Sequence, residues 1–102
     1  MSYNEYRKLL EHVGTRTFLS KPYGLELLFI LEQCELENAD NGVDDTHELL
    51  TQFKPRRGAF STYIQDLCTC GYINKSTSGL KASKSILRMS TDVATAFKSF
   101  KS

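Results

Sequence analysis

The stretch from Lys54 to Gly71 constrains the fold most. It opens with Lys54-Pro55-Arg56-Arg57, where a proline suits the first helical turn because its missing N–H would be unpaired there anyway. Apolar residues follow at Phe60, Tyr63, Ile64 and Leu67, the i, i+3, i+4, i+7 spacing of a helix with one face in a core. A turn of about 100° per residue leaves Gly58, Ser61, Thr62, Gln65 and Thr69 on the opposite side, with no hydrophobe larger than a methyl. Gly71 supplies the usual helix stop. A helix over 55–69 is predicted, one side packed and the other small and polar.

The flanks give this helix its setting. Upstream, Asp44 or Asp45 can cap a short helix carrying Leu49, Leu50 and Phe53 inward, joined to the next helix by a tight turn. Downstream, Tyr72-Ile73-Asn74-Lys75, a Ser/Thr/Gly-rich bend over 76–79, then Lys81, Lys84, Ile86, Leu87 and Arg88 read as two antiparallel strands around a basic loop. The order from Asp45 to Ser90 is that of a winged helix-turn-helix: mainly α, with a small β-hairpin wing over 75–85 and about five helices in all. Over roughly residues 22–100 the chain resembles the MarR-type and related bacterial winged-helix regulators. In those proteins a recognition helix ends in glycine, a Tyr/Leu-Ile/Val strand follows, and a basic wing leads into a final helix. The chain is short for that type, and Ser78-Gly79-Leu80-Lys81 stands where the wing usually carries an Asp-x-Arg pair. Small winged-helix proteins that bind plasmid centromeres are similar in length and in this stretch.

The remaining segments form one domain over 1–102, large enough for a single core. Tyr3, Tyr6, Leu9, Leu10 and Val13 recur at helical spacing, so 3–13 forms an amphipathic helix stopped at Gly14, and 15–21 is a connector. Pro22 opens a central helix to about Glu37, with Glu26, Glu32, Glu35 and Glu37 facing water. Asn38-Ala39-Asp40-Asn41-Gly42 is the strongest loop signal, since Asn-Gly tolerates positive φ. Ser90-Thr91-Asp92 offers caps for a last helix over 91–102. The winged-helix core occupies 22–90, which leaves the apolar faces of the two terminal helices surplus to one monomer: Tyr3, Tyr6, Leu10 and Val13 at one end, Val93, Phe97 and Phe100 at the other. In the similar families the terminal helices build a two-fold dimer. A homodimer is therefore expected, its recognition helices about 34 Å apart on a palindromic site.

Charge points the same way as the motif. Residues 1–53 hold four basic groups against ten acidic ones, a balance of −6; residues 54–102 hold nine against two, a balance of +7. Such asymmetry is expected when one part faces phosphate. Arg56 and Arg57 lie where the helix dipole disfavours cations, a mild penalty unless an anion answers them. The expected function is sequence-specific binding of double-stranded DNA as a dimeric bacterial or phage transcriptional regulator. Arg57, Ser61, Thr62 and Gln65 would read bases, while Arg56, Thr69, Lys75, Lys81, Lys84 and Arg88 would hold phosphates. Two alternatives stay open: a partition-type centromere binder, and a winged-helix adaptor or anti-regulator that binds protein instead.

Other chemistries find little support. Cys34 reads as a small core residue, and Cys68 and Cys70 point about 200° apart, too divergent to share a metal, so packing is favoured over a redox-sensing thiol. His12 and His47 sit in no triad or metal spacing, and no phosphate-loop or nucleophile-elbow motif occurs, so no enzyme, cofactor or metal is expected. With no apolar run near 18 residues and no signal peptide, a cytoplasmic protein without a membrane span is expected.

Overall fold

A computed structural model of the chain describes residues 1–77 and 85–100. In order, the elements are α1 (Tyr3–Glu11), α2 (Val13–Phe18), α3 (Gly24–Leu36), α4 (Val43–Leu49), α5 (Arg57–Thr69), β1 (Ile73–Thr77), β2 (Ser85–Met89) and α6 (Thr91–Phe100). The strands pair antiparallel, with Ile73 opposite Met89 and Lys75 opposite Leu87, giving the helix, helix, hairpin, helix layout of a winged helix. Large buried side chains from both strands and from every described helix but α4 meet in one core, among them Leu9, Phe18, Leu31, Phe60, Ile64, Leu87 and Phe97.

The first helix breaks earlier than its periodicity suggests. At His12 the backbone turns extended, and the imidazole Nδ1 accepts hydrogen bonds from the N–H groups of Gly14 (3.1 Å) and Thr15 (3.4 Å), capping a new helix. Gly14 therefore continues a helix instead of ending one, and most of the expected connector over 15–21 is α2. Thr15 is buried and donates its hydroxyl to the Leu9 carbonyl, tying α1 to α2. The central helix starts two residues after Pro22, at Gly24, because α2 and α3 approach closely there: a Cβ on Gly24 would lie 1.7 Å from the Phe18 carbonyl oxygen.

Two helices end in the same hydrogen-bonded motif. After α5, Gly71 adopts φ +82°, its N–H reaching the Cys68 carbonyl (3.1 Å) while the Tyr72 N–H reaches that of Leu67 (2.9 Å). After α3 the same pattern appears with Asn38 at φ +53°, Asn38 N–H to Glu35 O and Ala39 N–H to Cys34 O. The positive φ of the 38–42 loop thus falls at Asn38, not at Asn41-Gly42. Gly42 instead caps α4 and runs close to β2, where an added Cβ would meet the Ser85 carbonyl oxygen at 2.7 Å. Alongside it, the Leu87 N–H donates to Asn41 O (2.9 Å), fastening this loop to the hairpin.

The terminal helices fare differently from each other. Val93, Phe97 and Phe100 are buried within the single chain, with Phe97 edge-on to Phe29 at 5.0 Å between centroids. Their apolar face closes the chain's own core, which corrects the expectation that it was surplus and reserved for dimerisation. Tyr3, Tyr6 and Val13 do face outward, and Leu10 is half-buried.

Candidate nucleic-acid interface

The turn between α4 and α5 is a seven-residue connection, Leu50 to Arg56, longer than the tight turn expected. Leu50 alone of the three expected apolar residues is buried; Leu49 and Phe53 are exposed, the latter in a left-handed conformation at φ +50°. What holds this connection is polar. Glu26, on the first turn of α3, accepts hydrogen bonds from the N–H of Thr51 (2.8 Å), the hydroxyl of Thr51 (2.5 Å) and the N–H of Gln52 (3.2 Å). Partial burial raises the Glu26 pKa, but these three bonds outweigh it and hold the carboxyl below its ordinary value. At the other end His47 Nε2 bonds the Pro55 carbonyl at 2.6 Å, and its ring lies 5.4 Å from that of Phe60. The start of α5 is therefore pinned from α3 and from α4.

The inner side of α5 is anchored by buried Phe60, Tyr63, Ile64 and Leu67. Tyr63 is also tied by its hydroxyl, which donates to the Thr17 carbonyl at 2.9 Å, and burial pushes its pKa up. On the outer side Arg56, Gly58, Ser61, Thr62, Gln65 and Thr69 are all exposed, as their spacing requires. Arg56 is the residue before the helix, and Arg57 is its first residue. Lys75 of β1 reaches Gln65 Oε1 at 3.4 Å, so the hairpin and the far half of α5 share one surface. Asp66, exposed beside them, adds one negative charge to that surface.

Besides Lys75, two more of the described cations expected to meet phosphate or bases have partners within the chain. Arg57 Nε donates to Asp44 Oδ1 at 2.5 Å; this bond lowers the Asp44 pKa and raises that of Arg57. Of the two expected cap residues, Asp45 takes the role by accepting from the Gly42 N–H at the start of α4, whereas Asp44 is the anion that answers the penalty on Arg57. Arg88 is half-buried and donates to the backbone carbonyls of Ala39 (2.7 Å) and Leu87 (2.9 Å), so it braces the 38–42 loop against β2 and does not extend toward a phosphate. Lys81 and Lys84 lie outside the described residues. Between α4, α5 and β2 lies a cleft of about 450 Å³, lined by Asp44, Asp45, Arg57, Ser61 and Ser85 among others.

Residue periodicity located the outer face of α5 but missed Glu26 and Asp44. The Glu26 contact spans 25 residues and leaves no local signal. Asp44 carried one: an acidic residue 13 positions before an arginine at a disfavoured helix start, across a turn. Cys34 is buried and Cys68 half-buried, and burial pushes both thiols up, away from the reactive thiolate; Cys70 is exposed. Among the described residues no three His, Cys, Asp or Glu side chains stand close enough to hold a metal, and no helix is long and apolar enough to cross a membrane.

No family model matches the chain, and no curated protein or solved structure matches it either.

Proposed function

We propose that this chain binds double-stranded DNA with sequence preference, acting as a cytoplasmic regulator of transcription of the winged-helix kind, with α5 in the major groove and the hairpin against the backbone. One observation carries this reading: the outer side of α5 is uncovered, small and polar along its whole length, with exposed Arg56 at its start and Lys75 beside its far half. An α-helix is about 10–12 Å across with its side chains, which matches a major groove about 12 Å wide, and small outer residues keep α5 at the narrow end of that range. A face meant only for solvent has no need to exclude bulk, whereas base edges demand it.

Ser61, Thr62 and Gln65 are the direct readers in this scheme, with Arg57 added through its terminal amino groups, and Arg56 and Lys75 are the phosphate contacts. Two-fold assembly to read paired sites would rest on α1 through Tyr3 and Tyr6 and on Val13 at the start of α2, since α6 is taken up by the core. Selection from a randomised duplex pool followed by anisotropy titrations tests the proposal. Arg56→Ala should weaken selected and random duplexes alike and flatten the salt slope by about 0.9. Thr62→Ala and Gln65→Ala should instead cost selectivity, roughly 1 to 3 kcal/mol at the base concerned. Failure of the wild-type protein to bind any duplex at low salt sinks the reading.

A further inference from the structure

The ion pair at the head of α5 gives the DNA-binding reading a finer level, and the role inferred for it rests on that reading. Arg57 commits only its Nε–H to Asp44, at 2.5 Å. A guanidinium has five N–H donors in a planar fork, and the four on the terminal nitrogens are left over from this bond. Among the described residues no hydrogen bond from those nitrogens is formed, and the side chains of Arg57 and Asp44 are 67% and 63% exposed, so the fork stands in the open. It does so on the edge of the cleft that also holds Ser61, one turn along the outer face of α5.

A carboxylate in this place has two physical consequences. It cancels the long-range pull of Arg57 on phosphate, because a paired charge gains little by approaching a polyanion and must lose its partner or keep it alongside. It also fixes the plane and direction of the guanidinium through Nε, whereas a flexible, unpaired arginine would lose that rotamer freedom on binding. Both act toward discrimination and against indiscriminate affinity. We propose that Asp44 is a specificity-determining positioning residue: it holds Arg57 by Nε, screens it from non-specific phosphate contacts, and presents its terminal amino groups to the O6 and N7 acceptors of a guanine. Asp45 does not share this role, since its carboxylate reaches back to the Gly42 N–H at 3.2 Å.

The test compares Asp44→Ala and Asp44→Asn with wild type on a selected duplex and on random duplex across a range of salt. Asp44→Ala, which frees the whole guanidinium, should bind random duplex several-fold more tightly, with a salt slope steeper by about one, while affinity for the selected duplex rises less or falls. Asp44→Asn keeps an acceptor for Nε but removes the charge; it should show the same gain on random duplex while retaining more of the preference at the guanine read by Arg57. Both variants are checked for an unchanged far-UV circular dichroism spectrum. If wild type binds duplex and both variants change the two affinities by one common factor, or by none, the role of Asp44 is overturned and the DNA-binding reading stands. If wild type binds no duplex, both are overturned together.

Discussion

Single residues show where shape, not chemistry, dictates identity. Gly24 and Gly58 look alike in the sequence, each near the start of a helix, and the structure separates them. A methyl on Gly24 would overlap the Phe18 carbonyl oxygen, which is backbone and also accepts from the Lys21 N–H, so it has nowhere to move. Gly24→Ala should therefore destabilise by about 3 kcal/mol or more, the scale of a severe core clash. At Gly58 nothing lies within 4 Å of a Cβ, and alanine is the better helix former by up to about 1 kcal/mol. Gly58→Ala should raise the urea midpoint slightly and, by placing a methyl on the outer face of α5, reduce duplex affinity. A destabilised Gly58→Ala, or a Gly24→Ala as stable as wild type, would contradict the packing described. Neither distinction was legible in the sequence, because the spacing that marks a helix does not say which backbone crosses it.

At the scale of elements, the sequence was most readable where one segment contains the whole signal. The inner and outer faces of α5, the glycine after it and the pairing of the hairpin are all written within about 35 residues, and they stand as expected. The break at His12 was missed because a histidine can cap as an aspartate does only when its Nδ1 is the acceptor, which composition does not reveal. The α4–α5 connection was missed because its organiser, Glu26, belongs to another helix. That dependence can be measured. The folded-state pKa of Glu26 is depressed, so its contribution to stability is present above the ordinary glutamate value and is lost as pH falls through the depressed one. Glu26→Gln removes the charge from three hydrogen bonds at a partly exposed site, and should cost about 1 kcal/mol at neutral pH. The difference from wild type should shrink as pH drops below the ordinary glutamate range, and equal losses at both ends of the pH range would show that charge plays no part. Because the connection sets where α5 begins, the variant should also lose duplex selectivity more than it loses helix content.

For the whole molecule, the charge split along the sequence is bridged at the head of α5, where Arg57 pairs with Asp44 and Lys54 with Glu48. The acidic front half contributes Glu26 and Asp44 to the elements that set and screen the head of α5, and its Leu9, Phe18 and Leu31 share a core with Phe60, Leu87 and Phe97 from the basic half. The same interpenetration explains why the last helix belongs to the core. An apolar stripe at a chain end looks unpartnered when the core is counted from the motif alone, yet Phe97 is fully buried, 5.0 Å from both Phe29 and Phe100. Tyr3 and Tyr6 remain outside, with the Arg7 guanidinium 5.9 Å over the Tyr3 ring. Truncation of the two sets should consequently have separable effects. Phe97→Ala should lower unfolding free energy by about 3 to 5 kcal/mol, as for other buried aromatics, and by the same amount at low and high protein concentration, because the cavity opens inside one chain. Tyr3→Ser with Tyr6→Ser should leave the intrinsic stability of the chain within about 0.5 kcal/mol, as at other surface sites, and should act only on self-association, read by sedimentation velocity. A Phe97→Ala penalty that vanishes on dilution would place α6 in an interface between chains and reverse the assignment of its face to the core.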